Sequence, residues 1–450
     1  MRTSTRNTAP SRPPKGGTTN GDWPLKIFAL AFGGFLGLAL LKFPNPPVVE
    51  HLIDPPVGGW QWALFPWPVR YAYPIVLGLV LAGIAFVRWP VHAPKLTALL
   101  PLGWFGWLLL SASQSIDPKI TELTVIQFGI GLVCFFAGFL VVSRVINTGW
   151  LFGGLVVAML VVIALGWAQH FGGLEATRQQ TLLYQRELPL ELLKRMEGGR
   201  IFSTMFYPNS LAGALLLVTP AILGLIADSR ERFTPGARWL LAGSIGVGAA
   251  VCLAWSKSKG GWLLALGMAV VVLLRLPVRR QLKVGVVSLL VLVGVAGFVV
   301  RYAGFFKKGA PSVVQRFNYW SAAAQNVTVH PVFGSGPGTF GTVYKRMKPP
   351  EAEMARLAHN DYLQQASDSG VLAGGLFLAS VGWVLVRTRG VWRGAGWMRF
   401  GVWLGLVGFA AQAFVEFGFY VPATAWCWFG LAGWLVAQAG LGFDKGKPTT

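Results

Sequence analysis

The stretch "RLAHNDYLQQASDSG", residues 356–370, places Arg356, His359, Asn360 and Asp361 side by side and runs straight into the apolar "VLAGGLFLASVGWVLV". A neutral imidazole can take a proton near pH 7, and a guanidinium can hold an anion through two parallel hydrogen bonds. The chemistry this pattern could do is therefore proton transfer beside an anionic group, at the edge of a membrane helix. Pro349 and Pro350 followed by Glu351 and Glu353 read as a helix start with acids in its first turn. A helix from about residue 351 puts Arg356, His359, Tyr362 and Leu363 on one face. The competing reading is a solvated loop histidine, and spacing alone leaves both open.

Two more cations stand beside apolar runs. Arg200 lies in "GGRIFSTMFYPNSLAG" and Arg316 in "QRFNYWSAAAQN". An arginine at a membrane boundary is usually an anchor that snorkels to the headgroups, but it is also the side chain shaped to hold phosphate. Lys257 and Lys259 sit in the short break "SKSKG". In "HPVFGSGPGTF", residues 330–340, Gly334, Gly336 and Gly338 allow close backbone approach. No strand–helix context makes this a dinucleotide fingerprint, and a plain turn is the competing reading. No Asp-x-Asp pair and no His/Cys cluster suggests a metal or another cofactor, and no GxSxG or P-loop is present.

These residues have to be positioned by membrane helices. The chain has 450 residues, 54% hydrophobic and 12% charged, about half the usual share of charge in a soluble protein. Apolar stretches of 17–23 residues recur near 25–43, 71–89, 96–112, 121–143, 150–170, 208–227, 238–255, 260–276, 282–303, 366–386, 398–418 and 422–442. The expectation is an all-α polytopic membrane protein of about twelve transmembrane helices. The division of 238–276 at "SKSKG" is the least marked of these. Cys134, Cys252 and Cys427 lie inside apolar runs and read as small core residues, not a disulfide framework. Among acids within spans, Glu416 is the clear exception.

The net charge is +22. No basic domain with interleaved aromatics points to nucleic acid; Lys and Arg instead hold membrane loops on the cytoplasmic side. With the N-terminus inside, the inside segments carry 21 of the 39 Lys and Arg, and the short outside segments carry 5. This arrangement puts both termini in the cytoplasm. Residues 1–24 read as a disordered cytoplasmic tail, 25–443 as the transmembrane domain and 444–450 as a second cytoplasmic tail. Two long segments, 171–207 and 304–365, face outward. The first reads as an interfacial helix; the second carries Arg316 and the "HND" stretch.

Taken in order, "GRIFSTMFYPNSLAG", "SKSKGG", "RFNYWSAAAQNVTVHPVFGSGPGTF", "HNDYLQQASDSGVLAG" and "VEFGFYVPA" resemble the O-antigen ligase and O-antigen polymerase superfamily of bacterial envelope proteins. The resemblance covers about residues 198–425. It implies an inverting glycosyltransferase of the inner membrane with an outward-facing site. Its donor is a glycan on undecaprenyl diphosphate, its acceptor a glycolipid or glycan hydroxyl, and no metal takes part. It implies that His359, Arg316 and Arg200 are catalytic, and that Lys257, Lys259, Arg356, Asn360 and Tyr362 bind substrate. The chain departs from the pattern in two places: it has Lys257 and Lys259 where the family often has Arg, and Asp368 where it often has Glu. Within the superfamily, ligase and polymerase remain alternatives. A twelve-span envelope transporter, which would show two related halves and mid-membrane polar groups, and a structural partner in an assembly complex are the readings from other classes.

Overall fold

The computed structural model describes residues 23–439, apart from 91, 146, 177, 180–197, 308–310 and 395. The two expected tails and the expected interfacial helix fall wholly or mostly outside the described residues. The chain is all-α and polytopic. Each expected apolar stretch falls on a helix: α1 (Trp23–Lys42), α2 (Ala72–Ile84), α3 (Leu96–Ala112), α4 (Pro118–Phe136), α5 (Gly149–Ala168), α6 (Pro208–Asp228), α7 (Pro235–Trp255), α8 (Lys259–Arg275), α9 (Arg280–Lys307), α12 (Asp361–Thr388), α13 (Trp397–Gln412) and α14 (Pro422–Gln438). Between α9 and α12 lie two further helices, α10 (Pro311–Val329) and α11 (Phe340–Met347). Among the described residues, seven helices are long and apolar enough to cross a membrane by length and composition. The split inside 238–276 is marked in the backbone: Lys257 adopts φ 52°, and the Ser258 side chain accepts the Gly261 N–H to cap α8.

In lipid, helices associate by close packing rather than by escape from water, so small residues collect at their contacts. A Cβ on Gly33 of α1 would meet the Leu151 carbonyl of α5 at 1.9 Å. Gly401 and Gly405 bring α13 against α6 in the same way. The core of the bundle is α14, all of whose residues from Pro422 to Gln438 are buried. A helix that is apolar all round belongs in such a place. At the other extreme, α9 is mostly exposed, and among its described residues only Gly294 and Tyr302 are buried.

The expected helix from residue 351 is absent. The chain from Lys348 to Asn360 is turn and coil, and the helix begins only at Asp361, where the Asn360 side chain accepts the Leu363 N–H at 3.0 Å. Tertiary partners override the local propensity here. Arg356 donates to the Val48 carbonyl, and the Ala358 N–H donates to Gln364 Oε1 at 2.8 Å. Arg356, His359 and Tyr362 therefore do not share a helix face.

The glycine loop 330–340 is wedged rather than flexible. It enters α12 at Gly370, where φ is 86° and a Cβ would lie 1.9 Å from the Val332 carbonyl. The broken helix is satisfied from the loop: the Val371 N–H donates to Pro331 O and the Gly336 N–H to Asp368 O, at 2.9 and 2.8 Å. Non-helical backbone is tolerated at membrane depth only when it is re-paired in this way.

Candidate active site

The chain ends that meet at one end of the bundle are the start of α6, the α7–α8 break, α10, the coil before α12 and the α13–α14 connection. Their side chains converge on Glu416, which is 7% exposed. Glu416 Oε1 accepts from Arg316 Nη2, with which it forms an ion pair, and from Asn209 Nδ2 at 2.6 Å. Glu416 Oε2 lies 3.1 Å from His359 Nδ1. Asn209 in turn accepts from Arg200 Nη2 at 3.0 Å, and Arg200 Nε donates to the Ser256 carbonyl at 2.9 Å. One carboxylate thus ties together His359, Arg316 and, through Asn209, Arg200.

Electrostatics follow from this packing. Burial pushes the Glu416 carboxyl up, but the hydrogen bond and charge of His359, then the charges of Arg316 and Arg200, leave it below the ordinary glutamate value. Glu416 is therefore an anion, and an anion accepts, so a proton on His359 Nδ1 lies in the shared hydrogen bond and Nε2 is the ring nitrogen that this bond leaves open. The ring is fixed by its neighbours. Tyr319 stacks on it at 5.7 Å and 27°, and Phe417 meets it edge-on at 4.7 Å. Burial pushes the Tyr319 phenol up to about 12, so it stays protonated and does not compete as a base. His359 itself holds φ 52°, a left-handed backbone that costs on the order of 1–3 kcal/mol and persists only where surroundings enforce it. Arg316 Nε is buried without a hydrogen-bond partner among the described residues.

The remaining candidates are distributed around this centre. Lys259 sits over the Phe305 ring at 3.9 Å and the Tyr302 ring at 5.3 Å, within electrostatic reach of Arg200, Arg316 and Glu416. Lys257 donates to the Gly198 carbonyl at 3.4 Å, two residues before Arg200 in sequence. Arg356 lies with His359 on the wall of one cavity. Asn360 is occupied in capping α12. Tyr362 is buried, and its hydroxyl donates to the Ala410 carbonyl at 2.9 Å, so it is not brought to the centre.

Two residues of the centre had no assigned role in the sequence reading. Glu416 stood out as the clear exception among acids within spans, but its partners lie on three other elements. Asn209 sits in the quoted "FYPNSLAG", 207 residues from Glu416 in sequence, and nothing local distinguishes it from a cap. Ser335, outward-facing by the sequence reading, is 2% exposed, because it packs between Asn326 and Thr339.

Residues 244–378 match the family model described as O-antigen ligase. The matched stretch contains Lys257, Lys259, Arg316, His359 and the glycine loop, and supports the superfamily resemblance. Arg200, Asn209 and Glu416 lie outside it. No curated protein matches the chain.

Proposed function

We propose, from the premise of the O-antigen ligase superfamily, that the chain transfers a glycan from an undecaprenyl-diphosphate carrier to an acceptor hydroxyl at the outer face of the inner membrane. The observation that carries this is the Glu416 carboxylate bound on one oxygen to Arg316 and on the other to His359 Nδ1. It sets a proton acceptor and a fixed cation a few ångströms apart.

Breaking a sugar–diphosphate bond leaves negative charge on the diphosphate. Arg316 and Arg200, with Lys259 behind them, are cations whose placement suits that charge without a metal. The unpaired Arg316 Nε is a donor of the required kind. His359 Nε2 takes the acceptor's proton as the acceptor oxygen bonds to the anomeric carbon, and the diphosphate leaves with the electron pair of the broken C–O bond. Glu416 holds the imidazole in the tautomer that leaves Nε2 free and offsets its charge once it is protonated, the role an orienting carboxylate plays beside a histidine base. Asn360 and Tyr362 act at a distance, by fixing where α12 begins and how it packs.

Purified protein given a lipid-diphosphate glycan and a glycan acceptor should yield product in EDTA, and product that appears only with added divalent metal would overturn the metal-free step. The outward orientation is tested by cysteine labelling at Thr328, which is exposed; Ser335 is too buried to serve. Labelling of Thr328→Cys from the cytoplasm alone would put the site on the wrong side for an exported glycan.

A further inference from the structure

Beside His359 lies a cavity of about 230 Å³. One wall carries Tyr319, His359 and Phe417. The other is the segment that follows α1, with Asn45 and the 3-10 turn Pro47–Leu52. Arg356 ties the two walls together. Its Nη1 donates to the Val48 carbonyl at 3.3 Å and lies 3.4 Å from His51 Nε2. Burial and then the Arg356 charge hold the His51 imidazole below its ordinary value, as suits a ring that accepts from a guanidinium.

Asn45 is the feature that points to a ligand. It is 2% exposed, and its Oδ1 has no hydrogen-bond partner among the described residues. A buried acceptor left unpaired is costly and uncommon in a folded protein. The aromatic rings opposite it offer faces on which apolar C–H groups pack. The volume is below the roughly 300–1,000 Å³ of pockets for drug-sized ligands, so it suits a single ring carrying both hydroxyls and C–H faces.

Resting on the transfer reading above, we infer that this cavity receives the acceptor's sugar ring, with the Asn45 side chain turning its unpaired Oδ1 to one ring hydroxyl and Arg356 donating to another. The cavity is lined by His359 but by neither Arg200 nor Arg316. In a displacement at the anomeric carbon the entering oxygen and the leaving diphosphate stand on opposite faces. A pocket that shares the base and not the cations therefore fits the entering group. Acceptor choice would then reside in residues 45–52, in a part of the chain that the family match at 244–378 does not reach.

The test uses purified full-length chain and saturation-transfer NMR, with the methyl glycosides of glucose, galactose and N-acetylglucosamine as probes. At least one should bind the wild type. Asn45→Leu should weaken it roughly threefold to tenfold, the range for one lost hydrogen bond. Leu52 stands at the cavity and is 37% exposed, so Leu52→Trp should keep the fold, fill the mouth and remove the glycoside signal. Binding of undecaprenyl diphosphate, measured alongside, should not change in Leu52→Trp. The inference falls if no glycoside binds the wild type, if both variants bind as the wild type does, or if Leu52→Trp loses the lipid diphosphate instead. Glycoside binding needs no turnover, so a failed transfer assay with intact glycoside binding would count against the transfer reading and not against the cavity.

Discussion

Asp368 and Glu416 are both buried carboxylates, and their surroundings differ in kind. Asp368 is 1% exposed and is saturated by neutral donors: the Phe340 N–H on Oδ1, and the Gly338 N–H, the Tyr420 hydroxyl and Gln364 Nε2 on Oδ2, at 3.0–3.3 Å. Two of these donors are backbone and cannot leave. Glu416 instead meets a guanidinium, an amide and an imidazole, all on side chains able to exchange partners. A carboxylate closed off by fixed dipoles holds a loop in place. One facing ionisable groups can redistribute charge and protons. The glycine loop and the α12 kink thus form a mount, and the Glu416 centre is what the mount positions.

That contrast can be broken from either side. The largest effects should come from the imidazole and its carboxylate. His359→Gln keeps a hydrogen-bonding side chain but takes no proton, so transfer should fall roughly a hundred- to ten-thousand-fold while the lipid-diphosphate donor still binds. Turnover of the glutamine variant at the wild-type rate would exclude His359 as the base. Glu416→Gln should lower transfer by up to about ten-thousand-fold, the size expected when an orienting carboxylate becomes an amide and the wrong tautomer results.

Next come the cations. Arg200→Ala and Arg316→Ala should each lower the transfer rate about a hundred- to a thousand-fold, and Lys at either position should rescue only in part because it lacks the fork. Near-normal rates in both Ala variants would make these residues boundary anchors. Asp368→Asn sharpens the comparison: it turns an amide toward backbone donors and should cost about 1–3 kcal/mol for each donor left unpaired. The folded yield should drop while transfer per folded molecule holds. Proportional loss of transfer would merge the two carboxylates into one machinery.

The pH dependence of stability gives a smaller effect with a definite sign. Glu416 is held below its ordinary value of 4.5, so its contribution to stability is present above that value and is lost as pH falls through the lower folded-state value. Thermal midpoints of wild type and Glu416→Gln should therefore converge in acid. Tyr362→Phe should do least, costing about 0.5–1.5 kcal/mol for the bond to Ala410 with transfer unchanged.

Much of the frame was legible in the sequence because hydropathy acts on whole segments: each apolar run became a helix, and Ser258 and Asn360 cap where polar residues interrupt such runs. His359, Arg200 and Arg316 stood out because charge and imidazole are conspicuous against lipid-facing sequence. What local pattern could not supply was convergence. The value of Glu416 lies in partners drawn from Asn209, Arg316 and His359 at once. The helix expected from residue 351 failed for the same reason, since Arg356 and Ala358 answer to Val48 and Gln364, far away and around the corner. The wall supplied by Asn45 was invisible until α1 was packed against the rest.

The burial of α14 carries a consequence for assembly. This helix leaves the ribosome after every helix that surrounds it, yet it occupies the middle of the bundle, packed against α1, α4 and α13. Chains tend to organise from the N-terminus during synthesis. The helices that enclose α14 are thus made before the one they enclose. Since α14 also anchors the connection that carries Glu416, the candidate site is complete only once that helix has packed, and a chain stalled before then has Arg200, Arg316 and His359 without the carboxylate that gathers them.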